Sequence, residues 1–121
     1  MNTTADTPAP QLHIACLCAQ WCVICCSFEP MFQQMQAEAP AHTWHWIDIE
    51  DQEDALPGID IETFPTIVIL DGDGELCFAG TIEPRPEMLK RLVQSAQAGH
   101  LQMTASDAAP WLPVRALLGL G

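Results

Sequence analysis

The chain has 121 residues, 49% of them hydrophobic, with 4 basic and 16 acidic side chains and a formal charge of −12. That length supports one domain around one core and not two, and the apolar content excludes a disordered chain. The negative balance argues against nucleic acid or an anionic membrane surface as partner, and all four basic residues (Arg85, Lys90, Arg91, Arg115) fall in the C-terminal third.

Residues 1–11 read as a flexible N-terminal arm: polar, interrupted by Asp6, Pro8 and Pro10, without the basic and apolar regions of a signal peptide. No run is long enough to span a bilayer, so the expected compartment is the cytoplasm. Leu12 to Cys18 (LHIACLC) is almost wholly apolar, as a strand buried on both faces should be. From about Cys22 the period changes. Cys25, Phe28, Phe32, Met35 and Ala39 recur at spacings of three and four, one face of a helix running to about residue 38 with Pro30 inside it. Pro40 ends that helix.

The stretch Trp21-Cys22-Val23-Ile24-Cys25 therefore sits where a strand hands over to a helix. Unpaired N–H groups and the positive end of the helix dipole favour an anion at such a first turn. The thiolate is the nucleophile of disulfide exchange, and a second cysteine three residues on lies one turn away. The residues point to a dithiol–disulfide redox site. Five of the six cysteines crowd between Cys16 and Cys26, whereas a secreted disulfide scaffold spreads its cysteines to staple distant loops.

Thr43 to Ile49 alternates well enough for a second strand, parallel to the first across the helix in a right-handed βαβ unit. Seven acids follow within residues 48–62, read as a solvated loop. Thr66 to Leu70 and Glu75 to Ala79 form an antiparallel pair about the turn Asp71-Gly72-Asp73-Gly74. That run is not a calcium loop, since Leu76 stands where such a loop needs glycine and Ile82 where it needs its twelfth-position acid. Pro86 opens a last helix to about Ala98 with Met88, Leu89, Leu92, Val93 and Ala96 as its buried stripe, and Gly99 fits the position after the C-cap. The expected domain is 12–99. Residues 100–121 form an apolar C-terminal extension in which Ser106-Asp107 caps a short helix. Its Trp111, Leu112, Val114, Leu117 and Leu118 call for cover, by the domain's own surface or by a client or second copy of the chain.

Over residues 12–98 the chain resembles the thioredoxin family. Trp21 precedes the first cysteine, Pro30 lies five residues after the second, Phe64-Pro65-Thr66 opens the third strand and Gly80 closes the fourth. The resemblance implies an α/β thioredoxin-like fold; because the region before the first strand is too short and proline-broken for the strand and helix that thioredoxins usually place there, the sheet is expected to be the minimal four-stranded mixed one, βαβ then ββα. It implies Cys22 as the attacking and Cys25 as the resolving cysteine, and a cis Pro65 with the Phe64 backbone pairing to an extended substrate segment. Trp21, Val23 and Ile24 would complete an apolar rim for that segment. The activity implied is thiol–disulfide oxidoreduction of protein partners without a cofactor or metal, served by an upstream reductase or oxidant.

Two departures stand out. Thioredoxins usually carry a buried Asp six residues before the first active cysteine and a Lys beside it on the next strand; here Cys16 and Trp46 occupy those places. A buried thiol in apolar surroundings is inert, so slower resolution by Cys25 is expected. The dipeptide between the cysteines is Val23-Ile24 rather than Gly-Pro. Cys18 and Cys77 are read as packing residues; Cys26 follows Cys25 immediately, so its side chain points about 100° away and cannot replace it in the same geometry, which leaves a regulatory role as its alternative. Two further functions compete: a client-binding or chaperone module using the Phe64-Pro65 surface and the extension, and metal handling by Cys16, Cys18, Cys22, Cys25 and Cys26 with His13, His42 and His45.

Overall fold

Alternating side chains of one central strand, β1 (His13–Cys18), divide the interior into two layers. Ile14 and Cys16 face one cluster; Ala15 and Leu17 face the other; all four are buried. The computed structural model describes residues 11–19, 21–52, 54–56 and 65–120, with Cys25 described by its backbone.

After β1 the chain enters α1 (Val23–Glu38) and returns as β2 (Thr43–Asp48), in parallel register with β1 from His13↔Thr43 to Cys18↔Asp48. β3 (Thr66–Leu70) pairs antiparallel on the other side of β1, and β4 (Leu76–Thr81) pairs antiparallel with β3. Among the described residues the sheet is therefore β2-β1-β3-β4, mixed, with two central strands buried on both faces. That explains why the first and third strands read as continuous apolar runs while β2, at an edge, alternates. The β3–β4 turn is held by Asp71, whose Oδ1 accepts the N–H groups of Asp73 and Glu75 (both 2.9 Å), and Gly74 takes φ 85°, which favours glycine. The register then shifts by one residue between Ile69 and Leu70.

On the first face lie α1, through Phe28, Phe32 and Met35, and α2 (Pro86–Gln97), through Leu89, Val93 and Ala96. Burying a Leu- or Phe-sized side chain contributes about 1.5–3 kcal/mol, so the apolar positions spaced four and three apart in each helix are what fasten both to the sheet. Pro86 starts α2, where its missing N–H costs nothing. Gly99 ends it in a Schellman turn: φ 79°, with Gly99 N–H to the Ala96 carbonyl and His100 N–H to the Ser95 carbonyl.

The second face is covered by Leu56 and by the C-terminal extension. α3 (Ala105–Ala108), one 3-10 turn (Ala109–Trp111) and α4 (Leu112–Leu117) bring Val114 to full burial against Ala15, Leu17, Val68 and Leu70. Trp111, Leu117 and Leu118 pack around it. The apolar stripe of the extension thus docks on the chain's own sheet. Its N-cap differs from the expected Ser106-Asp107. Thr104 caps α3, its hydroxyl accepting the Asp107 N–H at 3.1 Å, because Thr104 keeps extended backbone angles while Ser106 and Asp107 already lie within the helix. Among the described residues no helix is long and apolar enough to cross a membrane.

Candidate functional site

Parallel pairing puts the C-terminal ends of β1 and β2 at one edge of the sheet, and the antiparallel register Leu17↔Thr66 brings the start of β3 to the same edge. Three loops therefore converge there: the one carrying Cys22, the acidic turn after Asp48, and the one ending at Pro65. Pro65 is buried and its carbonyl accepts the Ile82 N–H at 3.0 Å. The expected cis bond and the substrate-pairing backbone involve Phe64, which lies outside the described residues.

Cys22 stands immediately before the first residue of α1. Its N–H donates to the Ala19 carbonyl (2.9 Å) and its own carbonyl accepts the Cys26 N–H (3.0 Å), the first helical hydrogen bond. Cys25 is the third residue of α1, within its first turn. The N–H groups of such a turn have no acceptor inside the helix, so the backbone here offers donors to an anion. Cys22 itself is only 4% exposed, whereas its neighbours Trp21 and Val23 are 59% and 79% exposed and Ile24 is partly buried. Cys22 is thus buried between two exposed apolar neighbours.

Beneath the site Cys16 is fully buried among Ile14, Phe28, Phe32 and Ile67, in register with Trp46, as the sequence suggested. Phe32 packs tilted against Trp46 (5.6 Å between ring centroids) and edge-on to Trp44 (5.3 Å).

The histidines considered for metal have contacts of their own. His42 accepts the Leu12 N–H on Nδ1 (3.0 Å), and burial lowers its pKa. His13 and His45 stack on each other at 5.9 Å; burial first, then the neighbouring His13, lowers the pKa of His45. Among the described residues no group of three or more His, Cys, Asp or Glu side chains is placed to hold a metal ion. Cys77 is buried on the first face, its thiol pushed up by burial and then by Asp71. A cleft of about 340 Å³ between α1, β2 and α2 is lined by Met35, Glu38, His42, Trp44, Lys90 and Val93, at the opposite end of α1 from Cys22.

One feature of the site was not anticipated. The sulfurs of Cys18 and Cys26 both point at the Ala19 carbonyl, at 3.5 and 3.7 Å, the same oxygen that accepts the Cys22 N–H. Cys26 is exposed. The spacing of four from Cys22 to Cys26, one helical turn, was the available signal; the direction of the Ala19 carbonyl is set by the loop backbone and had none.

A model of the thioredoxin family matches residues 6–95. The chain belongs to the thioredoxin family. Among solved structures it is similar to the thioredoxin of Fasciola hepatica (TM-score 0.61, 21% identity, covering 69% of this chain and 79% of that one). It is similar also to oxidised mitochondrial thioredoxin 3 of Saccharomyces cerevisiae (0.59, 20%, 70% and 78%). A third similar structure is thioredoxin f2 in complex with ferredoxin:thioredoxin reductase (0.58, 18%, 72% and 78%). At these identities the likeness establishes the fold. No curated protein matches the sequence.

Proposed function

We propose that the chain is a thiol–disulfide oxidoreductase whose Cys22–Cys25 pair exchanges with disulfides of protein partners. The observation that carries this reading is the place of the pair: Cys22 directly before α1 and Cys25 in its first turn, at the loop-bearing edge of a thioredoxin-family sheet. The Cys22 thiolate attacks one sulfur of the partner disulfide, and the other sulfur leaves with the electron pair and takes up a proton. Cys25 then attacks the Cys22 sulfur of the mixed disulfide and releases the reduced partner. Run backwards, the same steps oxidise a partner. The exposed rim of Trp21 and Val23 supports an apolar client segment, held along the backbone of Phe64 beside Pro65. The complex of thioredoxin f2 with its reductase is a precedent for an upstream electron donor.

Cys25→Ser and Cys22→Ser variants test this, each made in a Cys26→Ser chain so that no neighbouring thiol resolves or forms the adduct. The Cys25→Ser chain should accumulate a covalent mixed disulfide with a disulfide-bonded protein substrate, reversed by dithiothreitol, while the Cys22→Ser chain forms none. Equal adducts, or none, in both variants would reject the assignment. The exposed apolar rim also favours a client-binding module as a second reading; such a protein would hold its client equally well after Cys22→Ser and Cys25→Ser.

A further inference from the structure

We propose that Cys18 and Cys26 form a second exchange-active dithiol beside the Cys22 site. Their sulfurs approach one oxygen, that of Ala19, at 3.5 and 3.7 Å, so they stand no more than about 7 Å from each other. They come from different elements. Cys18 is the last residue of β1 and is almost completely buried, and Cys26 lies on α1 and is exposed. The contact is therefore tertiary, across the loop that carries Cys22. A disulfide needs Cβ atoms about 3.5–4.5 Å apart. Rotation of the exposed Cys26 side chain about χ1 turns its sulfur while its Cβ stays in place, so the bond forms where the two Cβ atoms come to that separation, and it would link β1 to α1.

The route of electrons rests on the proposed exchange at Cys22–Cys25. With that pair oxidised, the Cys26 thiolate attacks the Cys22 sulfur, the Cys22–Cys25 bond breaks, and Cys25 leaves as a thiolate that takes up a proton. The Cys18 thiolate then attacks the Cys26 sulfur and expels Cys22, which is protonated in turn. Two electrons have passed from Cys18/Cys26 to Cys22/Cys25, no atoms are lost, and the two protons given up by Cys18 and Cys26 balance the two taken. The reduced Cys22 pair is then ready for a further partner disulfide. The fully reduced chain carries four electrons instead of two.

The test is thiol counting by alkylation and intact mass in graded 2-mercaptoethanol/hydroxyethyl disulfide buffers, a neutral couple. The wild-type chain should lose four thiols as a monomer, in two steps, and Cys26→Ser only two. In a Cys22→Ser/Cys25→Ser chain two thiols should still disappear, and none once Cys26→Ser or Cys18→Ala is added. The proposal is overturned if wild type stops at two, if the Cys22→Ser/Cys25→Ser chain keeps all its thiols, or if the extra loss appears only as a covalent dimer. The Cys26→Ser chain separates the two claims: failure to form any disulfide there rejects exchange at Cys22–Cys25, whatever Cys18 and Cys26 do.

Discussion

Cys16 of β1 stands in register with Trp46 of β2 and is buried among Ile14, Phe28, Phe32 and Ile67. Neither side chain of this pair is a carboxylate, so in the proposed exchange the pair offers no acid of the kind that would take the proton of Cys25. A Cys16→Asp variant should accelerate decay of the mixed disulfide in stopped-flow exchange. It should also lose stability, on the order of 3 kcal/mol, because an unpaired carboxyl would be buried among Ile14, Phe28 and Phe32. A variant that folds and resolves no faster contradicts this account of Cys16.

Charge should select among disulfides. The turn after Cys18's register partner Asp48 carries Glu50, Asp51 and Asp54 at the same edge of the sheet as Cys22. Arg85 and Lys90 are engaged by Glu83 (3.1 Å) and Glu38 (3.6 Å). Anionic glutathione disulfide should therefore react more slowly at low ionic strength, with its rate rising about threefold or more on adding salt. Neutral hydroxyethyl disulfide should show no such rise. Parallel salt profiles for the two disulfides would be the contrary result.

The extension should behave as part of the fold. Val114 is fully buried against the second face of the sheet, while Leu112 on the same helix is exposed. Denaturant unfolding should show Val114→Ala less stable by about 2 kcal/mol and Leu112→Ala changed by less than about 0.5 kcal/mol. Similar effects at both positions would mean that α4 is not seated as described.

Acid should loosen the molecule through its buried histidines. Burial lowers the pKa of His42 and His45 in the folded chain, with His13 adding to the effect at His45. Their neutral forms thus contribute stability that is fully present above the unfolded value of about 6.5 and is lost as pH falls through the lowered folded values. Tm should fall from pH 7 to pH 5.5. In His42→Asn, whose amide oxygen can still accept the Leu12 N–H, the fall should be shallower; an unchanged slope would remove His42 from the explanation.

The four strands and both long helices were legible because each carries its own period and punctuation. Apolar runs mark the two central strands, spacings of three and four mark Phe28, Phe32 and Met35, and Pro86 and Gly99 bracket α2. The strand-to-helix junction that carries Cys22 and Cys25 was legible for the same local reason. What local pattern could not supply were relations between distant parts. The apolar stripe around Val114 announced a need for cover but not which face would give it. Thr104 lost to Ser106-Asp107 as expected cap because three polar residues within four positions compete on nearly equal terms and only backbone angles decide. The meeting of Cys18 and Cys26 at the Ala19 carbonyl depends on how a loop turns, and residue type says little about that.

The most direct test of the central claim is the reduction potential of Cys22–Cys25, measured in the Cys26→Ser chain so that one pair is read alone. The account predicts one two-electron transition between roughly −270 and −120 mV, the span of known protein thiol–disulfide exchangers, abolished by Cys22→Ser. A chain that keeps both thiols throughout that range would contradict it.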